Sequence, residues 1–422
     1  MNCFLFINQI IIMENYLNRL PSDTEDIDIS CRQLTVFPTK LLSRFKKLKT
    51  LDCCHNQFTS LPPLNDYPSL EELNCSYNRL TSLPSLLNHS LHTINCSNNY
   101  LTYLPPLLNT SLRFLYCYAN QLTSLPPLNA SLRVLYCSTN QLTSLPPLLN
   151  TSLEQLHCSN NQLTSLPLFN DSLKFLHCDK NQLTSLPLFN DSLKIVHCDK
   201  NQLTSLPSLL NNSLKYLECH DNQLTSLPPL LNTSLIRIKC SNNQLTSLPP
   251  LPPSLNKLEC DNNQLTSLPA LNTSLNSLHC ENNHLTSLPP LNTSLEFMWC
   301  NNNQLTSLPP YNSSLSTLYC SYNPLTYIPS LNESLKFLLW NYTPIYTLLN
   351  GKRNSIIKFN WFREYYFLSK LKKKFISWMW KAREKAIREQ FHYKHLLRFM
   401  EENDNDENVD LEPFLENFTR VC

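Results

Sequence analysis

The fold class this sequence predicts is a solenoid of short parallel strands, β-dominated although of the α/β class by convention. Three observations carry the prediction. A phrase of the form S-L-x-x-L-x-C-x-x-N-x-L-T-S-L-P recurs along most of the 422 residues, its cysteine returning every 20 to 22 residues from Cys53 to Cys320. Such a fixed period is the signature of a repeat architecture. Within one copy, Leu176 and Cys178 alternate with Phe175 and His177, a period of two that marks a strand. Finally, there is one glycine, Gly351, against 30 prolines and 18 cysteines, so the tight turns of a compact enzyme are hard to build.

In chain order, residues 1–23 read as an N-terminal extension or cap. The stretch MNCFLFINQIIIM is apolar but has no basic start. It is interrupted by Asn8 and Gln9 and lacks a small-residue cleavage site, so no signal peptide is expected. No run of 18 apolar residues occurs, and no membrane span is predicted. Residues 24–350 form the solenoid, about 16 coils long, with Ile29 and Trp340 taking the cysteine slot in the irregular outer coils. Terminal coils must cover an otherwise exposed core, so atypical ends are expected. At about 4.8 Å per strand the stack spans roughly 75 Å.

Each coil follows the same plan. The uniform leucines and the cysteine point inward, and the changing residues point outward. The asparagine three residues after each cysteine, Asn181 and its equivalents, is expected to bond backbone groups of its own and the next coil. Asparagine is also expected to take the left-handed conformations that glycine usually supplies. Leu183 and Leu186 return to the core, Pro187 begins an extended, polyproline-like back, and Asn190-Asp191-Ser192 turns the chain into the next coil.

The string L-x-x-L-x-C-x-x-N-x-L resembles the leucine-rich repeat, with cysteine in one leucine slot, over roughly residues 24–350. LTSLPPLNTSL resembles the short bacterial-type LPxLP subclass, and the Asn-rich, Gly-poor wording resembles leucine-rich-repeat proteins of giant DNA viruses that infect amoebae. The resemblance implies a curved parallel sheet on a concave side and a role in protein interaction.

Disulfides, metal, catalysis and packing compete for the cysteine ladder, and packing is the expected role, since free cysteine behaves as a small buried hydrophobe. Each ladder cysteine has an identical neighbour on either side, so no disulfide pairing is specified, which favours an intracellular, reducing compartment. No C-x-x-C occurs, so no metal is expected there, and burial makes a thiol inert. The sequons at Asn109, Asn150, Asn232, Asn272 and Asn292 are read as turn chemistry.

Variation between coils points to a partner surface. The column just before the cysteine, the column two residues earlier and the position just after it form one face. On it Phe114, Tyr116, Tyr118, Val134 and Tyr136 make one aromatic patch. His157, His177 and His197 make a row beside Phe175, Asp179 and Asp199. Glu218, Lys239 and Glu259 alternate in sign; Phe297, Trp299 and Tyr319 make a second aromatic patch. Exposed aromatic clusters mark partner sites, against the plainer reading that aromatics suit a strand surface. A pH-sensitive contact is expected of the histidines, which titrate near neutrality. No metal, cofactor or catalytic residue is expected on an open face.

Residues 351–400 read as a basic amphipathic helix. From 352 to 400 there are 14 Lys or Arg against three Glu, with Trp361, Tyr365, Leu368 and Leu371 at helical steps. Residues 401–422 form an acidic tail with a short helix around Leu411–Phe418. Three readings of the helix stand: a cap on the open end, a partner-binding module, or a contact for anionic membrane or nucleic acid. The leading functional expectation is a non-catalytic, monomeric scaffold binding a protein or extended peptide in the host cytoplasm. The enzyme alternative, a ubiquitin ligase of the kind that follows this repeat type in some bacterial effectors, needs a cysteine close to an aspartate. The sole cysteine after Trp340 is Cys422, with no C-x-D. Alkylation in denaturant without reductant is therefore expected to label all 18 cysteines; a mass showing fixed disulfides would overturn the reducing-compartment expectation.

Overall fold

The structure, a computed structural model, describes residues 12–348 except 86–88, 107–109, 149–151, 210, 327 and 330–333. The chain divides into two units, Met1–Gly351 and Lys352–Cys422. The basic and acidic segments predicted beyond 350 lie outside the described residues. Among the described residues no helix is long and apolar enough to cross a membrane.

Sixteen three-residue strands, from β1 (Asp26–Asp28) to β16 (Phe337–Leu339), form one parallel sheet in strict sequence order. Register is constant: Leu156 pairs with Leu176, and Leu176 with Val196. The middle residue of the strand points inward and its two flanks outward, as in β8 (Phe175–His177). Leu173, Leu176, Cys178 and Leu183 are completely buried, and the equivalent positions repeat this in the other regular coils. The core is thus a set of apolar columns along the stack, as the repeat predicts.

The coil backs carry little regular structure. Among the described residues of the backs, only the early coils contain a short helix, α2 (Thr39–Leu42), and a 3-10 turn (Leu64–Asp66). Proline after each returning leucine explains this, because it removes a donor and fixes φ.

The ends are closed by different devices. At the start, the helix α1 over residues 12–19 buries Met13 and Leu17. Arg44 donates to its last carbonyls, Leu17 O at 2.7 Å and Leu20 O at 2.5 Å, filling acceptors that a helix end leaves open. At the other end Trp340 occupies the cysteine slot, buried, with its ring edge-on to Tyr346 at 5.4 Å. Thr343 Oγ1 then accepts from Tyr346 N at 3.2 Å, opening α3 (Pro344–Leu348).

Asn181 shows how coils are joined. Its Nδ2 donates to Cys178 O (3.1 Å) and Asp179 O (3.2 Å) of its own coil and to Cys158 O (3.0 Å) of the preceding one. Its Oδ1 accepts from Leu163 N at 3.0 Å, also in the preceding coil. The expected partner was the next coil; the ladder runs backward instead. Each ladder cysteine carbonyl from Cys53 to Cys300 therefore has two asparagine donors, as Cys178 O also accepts from Asn201 at 3.0 Å.

The left-handed residue is likewise not the ladder asparagine. It is the residue before it, two after the cysteine: Asn98, Asn160 and Asn242 in some coils, but Tyr77, Thr139, Lys180 and Lys200 in others, all with φ between 52° and 56°. A non-glycine residue there costs about 1–2 kcal/mol. The position is held by its own inter-coil bond, such as Lys180 N to Asp199 O at 2.9 Å. Asparagine is thus one tenant of a conformation imposed by stacking.

Asn181→Ala is expected to cost about 2–3 kcal/mol in urea unfolding, because it orphans the buried Leu163 N–H and halves the donors on two carbonyls. The exposed Gln182→Ala should cost close to nothing; equal effects of the two would remove the ladder from its structural role.

Candidate functional site

The residues just before each cysteine pair in register from Tyr116 through Tyr136, His157, His177, His197, Glu218, Lys239, Glu259, His279 and Trp299 to Tyr319. Strand spacing of about 4.8 Å is close to ring-stacking distance, so planar side chains in one column are driven into contact. Tyr116 meets Tyr136 edge-on at 5.2 Å, Tyr136 tilts over His157 at 3.9 Å, His157 stacks on His177 at 4.1 Å, and His177 meets His197 at 4.3 Å. Further along, His279 stacks on Trp299 at 3.9 Å and Trp299 on Tyr319 at 5.6 Å.

The first aromatic patch is brought together at its centre. Asn95, Tyr116, Tyr118 and Tyr136 line an open hollow of about 430 Å³, and Tyr136 Oη donates to Gln155 Oε1 at 2.9 Å. Val134 does not belong to the surface, being buried. Phe114 and Phe175 lie half-buried in the outer column. Phe297 is 39 % exposed beside half-buried Trp299, whose indole Nε1 has no hydrogen-bond partner.

The histidine row corrects one expectation. Burial, then the neighbouring charges of His177 and His197, push His157 down to about 4, against weaker support from Asp179. Burial likewise holds His177 below its ordinary value. His157 is therefore neutral at physiological pH and gives no pH-sensitive contact near neutrality. Asp179 accepts from Ser159 Oγ.

Between the aromatic zones lies a charged centre. Arg237 Nη2 and Lys257 Nζ reach Glu259 Oε1 at 2.9 and 3.0 Å, and Arg237 Nη1 stands 3.5 Å from Glu218 Oε1. Burial opposes ionisation of Glu259, but Lys257, Arg237 and Lys239 hold it below the usual carboxylate value. Glu281 is half-buried, and its burial, with the like charges of Asp261 and Glu259, pushes it up to about 7.

Asp199, Glu218 and His220 place one donor atom each within 4.8 Å of one another. Of these only Asp199 stood among the predicted site residues. The signal for the others was available, since positions just before and just after the cysteine on adjacent coils are spatial neighbours.

The sixteen described cysteines are free, and the fourteen of the ladder are buried. Burial raises Cys96, Cys137 and Cys320 to about 12, which leaves them as thiols. Several donate weakly to the next coil, Cys96 Sγ to Tyr116 O at 3.4 Å and Cys260 Sγ to His279 O at 3.3 Å. The turn asparagines form a second ladder: Asn232 Nδ2 donates to Leu214 O, Asn272 to Leu255 O and Asn292 to Leu275 O, each at 2.9 Å. Their amides are committed to backbone bonds, which fits the turn reading of those sequons; Asn109 and Asn150 lie outside the described residues.

An uninterrupted stack of single-strand coils with leucine columns and an asparagine ladder defines the class of leucine-rich-repeat solenoids. A sequence profile described as "Leucine Rich repeats (2 copies)" matches residues 46–88 and 130–170. YopM, a leucine-rich effector protein of Yersinia pestis, is 34 % identical, with 76 % of this chain and 84 % of that chain covered and a TM-score of 0.61. The functional domain of InlJ from Listeria monocytogenes, which includes a cysteine ladder, is 29 % identical over 75 % of this chain and 70 % of that one, at TM-score 0.65. A leucine-rich-repeat protein of Leptospira interrogans is 27 % identical over 80 % and 95 %, at TM-score 0.68. No curated protein sequence matches. The chain belongs to the leucine-rich-repeat family.

The depressed His157 value has a sign. The unfolded imidazole binds a proton below about 6.5 and the folded one only below about 4, so the unfolded state gains protons across that window. Its contribution is full above pH 6.5 and is lost as pH falls toward 4. In urea titrations, His157→Gln is expected to show a shallower loss of stability between pH 6.5 and 4.5 than the unaltered chain; identical slopes would contradict the burial of a neutral ring.

Proposed function

We propose that the chain is a non-catalytic scaffold that binds a protein or extended peptide on the concave strand face. The observation that carries this reading is the single unbroken column from Tyr116 to Tyr319, which sets two aromatic zones on either side of a charged centre. Aromatic side chains offer large contact area at low entropy cost, and flanking charges fix register. The contact residues are Phe114, Tyr116, Tyr118, Tyr136, His157, Phe175, His177, Asp179, His197, Asp199, Phe297, Trp299 and Tyr319. Absence of catalysis is supported by the inert thiols and the single glycine.

The LPxLP backs support the short bacterial-type subclass, and the Asn-rich wording supports kinship with repeat proteins of amoeba-infecting giant viruses. A ladder of unpaired thiols supports a reducing compartment, such as the host cytoplasm. A second reading rests on the charge of residues 352–400, 14 basic against three acidic: that segment binds anionic membrane or nucleic acid, with the solenoid as spacer.

The test is affinity capture from host cytosol under reducing conditions, comparing the full chain with a Tyr116→Ala, Tyr136→Ala, Trp299→Ala variant. Unchanged far-ultraviolet circular dichroism with at least tenfold weaker capture is expected. Equal capture by the variant removes the strand face; capture lost with salt instead favours the basic segment.

A further inference from the structure

One cluster of titratable side chains lies at the edge of the proposed contact face and takes no part in the core. Asp199 and His220 sit just after the cysteines of the two adjacent coils that carry β9 (Ile195–His197) and β10 (Tyr216–Glu218), and Glu218 sits at the end of β10. One donor atom from each lies within 4.8 Å of the other two. The side chains of Asp199 and His220 are only 11 % and 12 % exposed.

Protein hydrogen bonds do not satisfy this group. His220 Nε2 is 3.3 Å from Asp199 Oδ2 and 3.6 Å from Asp221 Oδ2. Both are longer than the about 2.7–2.9 Å of a charge-assisted hydrogen bond. His220 Nδ1 is buried with no hydrogen-bond partner among the described residues, but it is Nε2 that faces Asp199, so the ring offers Nε2 as its donor atom. Asp179 and Glu218 add like charge around Asp199, so carboxylates outnumber cations at this spot. Arg237 does not settle the imbalance: it stands 3.5 Å from Glu218 and makes its closer bond, 2.9 Å, to Glu259.

The Asp199–His220 separation fits two ligands of one ion instead. Metal bonds of about 2.0–2.2 Å to imidazole nitrogen and carboxylate oxygen set tetrahedral donors about 3.3–3.5 Å apart. We propose that Asp199, Glu218 and His220 bind a divalent transition-metal ion of the zinc class. One imidazole with two carboxylates is a mixed nitrogen–oxygen set that such ions accept. The ion joins two neighbouring coils. Three protein ligands leave a fourth position open, where water or a partner's carboxylate or imidazole completes the set. The site does not use the His157–His177–His197 row, in which His157 stacks on His177 and His197 tilts against it.

The test uses the full chain under reducing conditions. Titration with Zn²⁺ by calorimetry is expected to show one site, and Co²⁺ to give visible ligand-field absorption without the thiolate charge-transfer band. His220→Ala and the near-isosteric Asp199→Asn should each weaken Zn²⁺ at least tenfold while the circular dichroism stays that of the parent; the exposed His284→Ala should not. The proposal is overturned if the unaltered chain binds no stoichiometric Zn²⁺. It is overturned equally if the Co²⁺ spectrum is that of thiolate ligands such as exposed Cys31, or if folded His220→Ala or Asp199→Asn binds as tightly as the parent.

Discussion

The constraint on which the structure depends is the sharing of the cysteine carbonyls, from Cys53 to Cys300, between two asparagines each. Cys178 O accepts from Asn181 of its own coil and Asn201 of the following one, while Asn181 reaches back to Cys158 O and Leu163 N. Buried backbone groups must find partners, and the backbone bonds of the turn, such as Lys180 N to Asp199 O, leave the Leu163 N–H and the cysteine carbonyls to the asparagine side chains. The asparagine supplies both donor and acceptor to the preceding coil, so each coil is completed only by its successor. That reciprocity forces constant spacing from cysteine to asparagine to leucine. The difference between 20- and 21-residue coils is taken up on the back, as SLPLFNDSL against SLPPLLNTSL shows.

Once the ladder has fixed the coils in register, the outward residues lose any freedom to choose neighbours. Tyr136 must face His157, and His157 must face His177. Rings respond by stacking at 3.9–4.3 Å from Tyr136 to His197. Charges respond by sharing, as Glu259 does between Arg237 and Lys257. Stacking has an electrostatic consequence. Half-burying three imidazoles against one another makes each charge a penalty to the next, so His157 stays neutral far below its ordinary range. The apolar zone of the column thus extends from the tyrosines to His177, where composition alone reads a polar row.

Strand positions, the inward face, cysteine burial and the Trp340 plug were legible because each follows from period alone: a position repeated in every coil is either core or turn. The direction of the asparagine ladder was not legible, since a repeat spaced by one period reads the same toward the next coil or the preceding one. Nor was the left-handed residue. Propensity points to asparagine, whereas stacking imposes the conformation on Thr139 and Lys180 as readily as on Asn160. The histidine behaviour failed for a third reason: solution titration near neutrality assumes a hydrated ring, and the column dehydrates it.

The charged centre shows where reading columns one at a time falls short. Glu218 stands in the column before the cysteine, and Asp199 and His220 in the column after it, so a list by column separates them. Stacking reunites them, because the residue just after one cysteine and the pair flanking the next cysteine are adjacent on neighbouring coils. In a solenoid the unit of chemistry is therefore two coils rather than one. A near-duplicate pair such as 173–192 and 193–212 repeats its residues but not its surroundings, because the coils before and after the pair differ. Asp179 is followed by Asp199, and Asp199 by His220. The same aspartate, copied once, accepts a serine hydroxyl in one place and faces an imidazole in the next. Local divergence after duplication is enough to create a distinct site without altering the core.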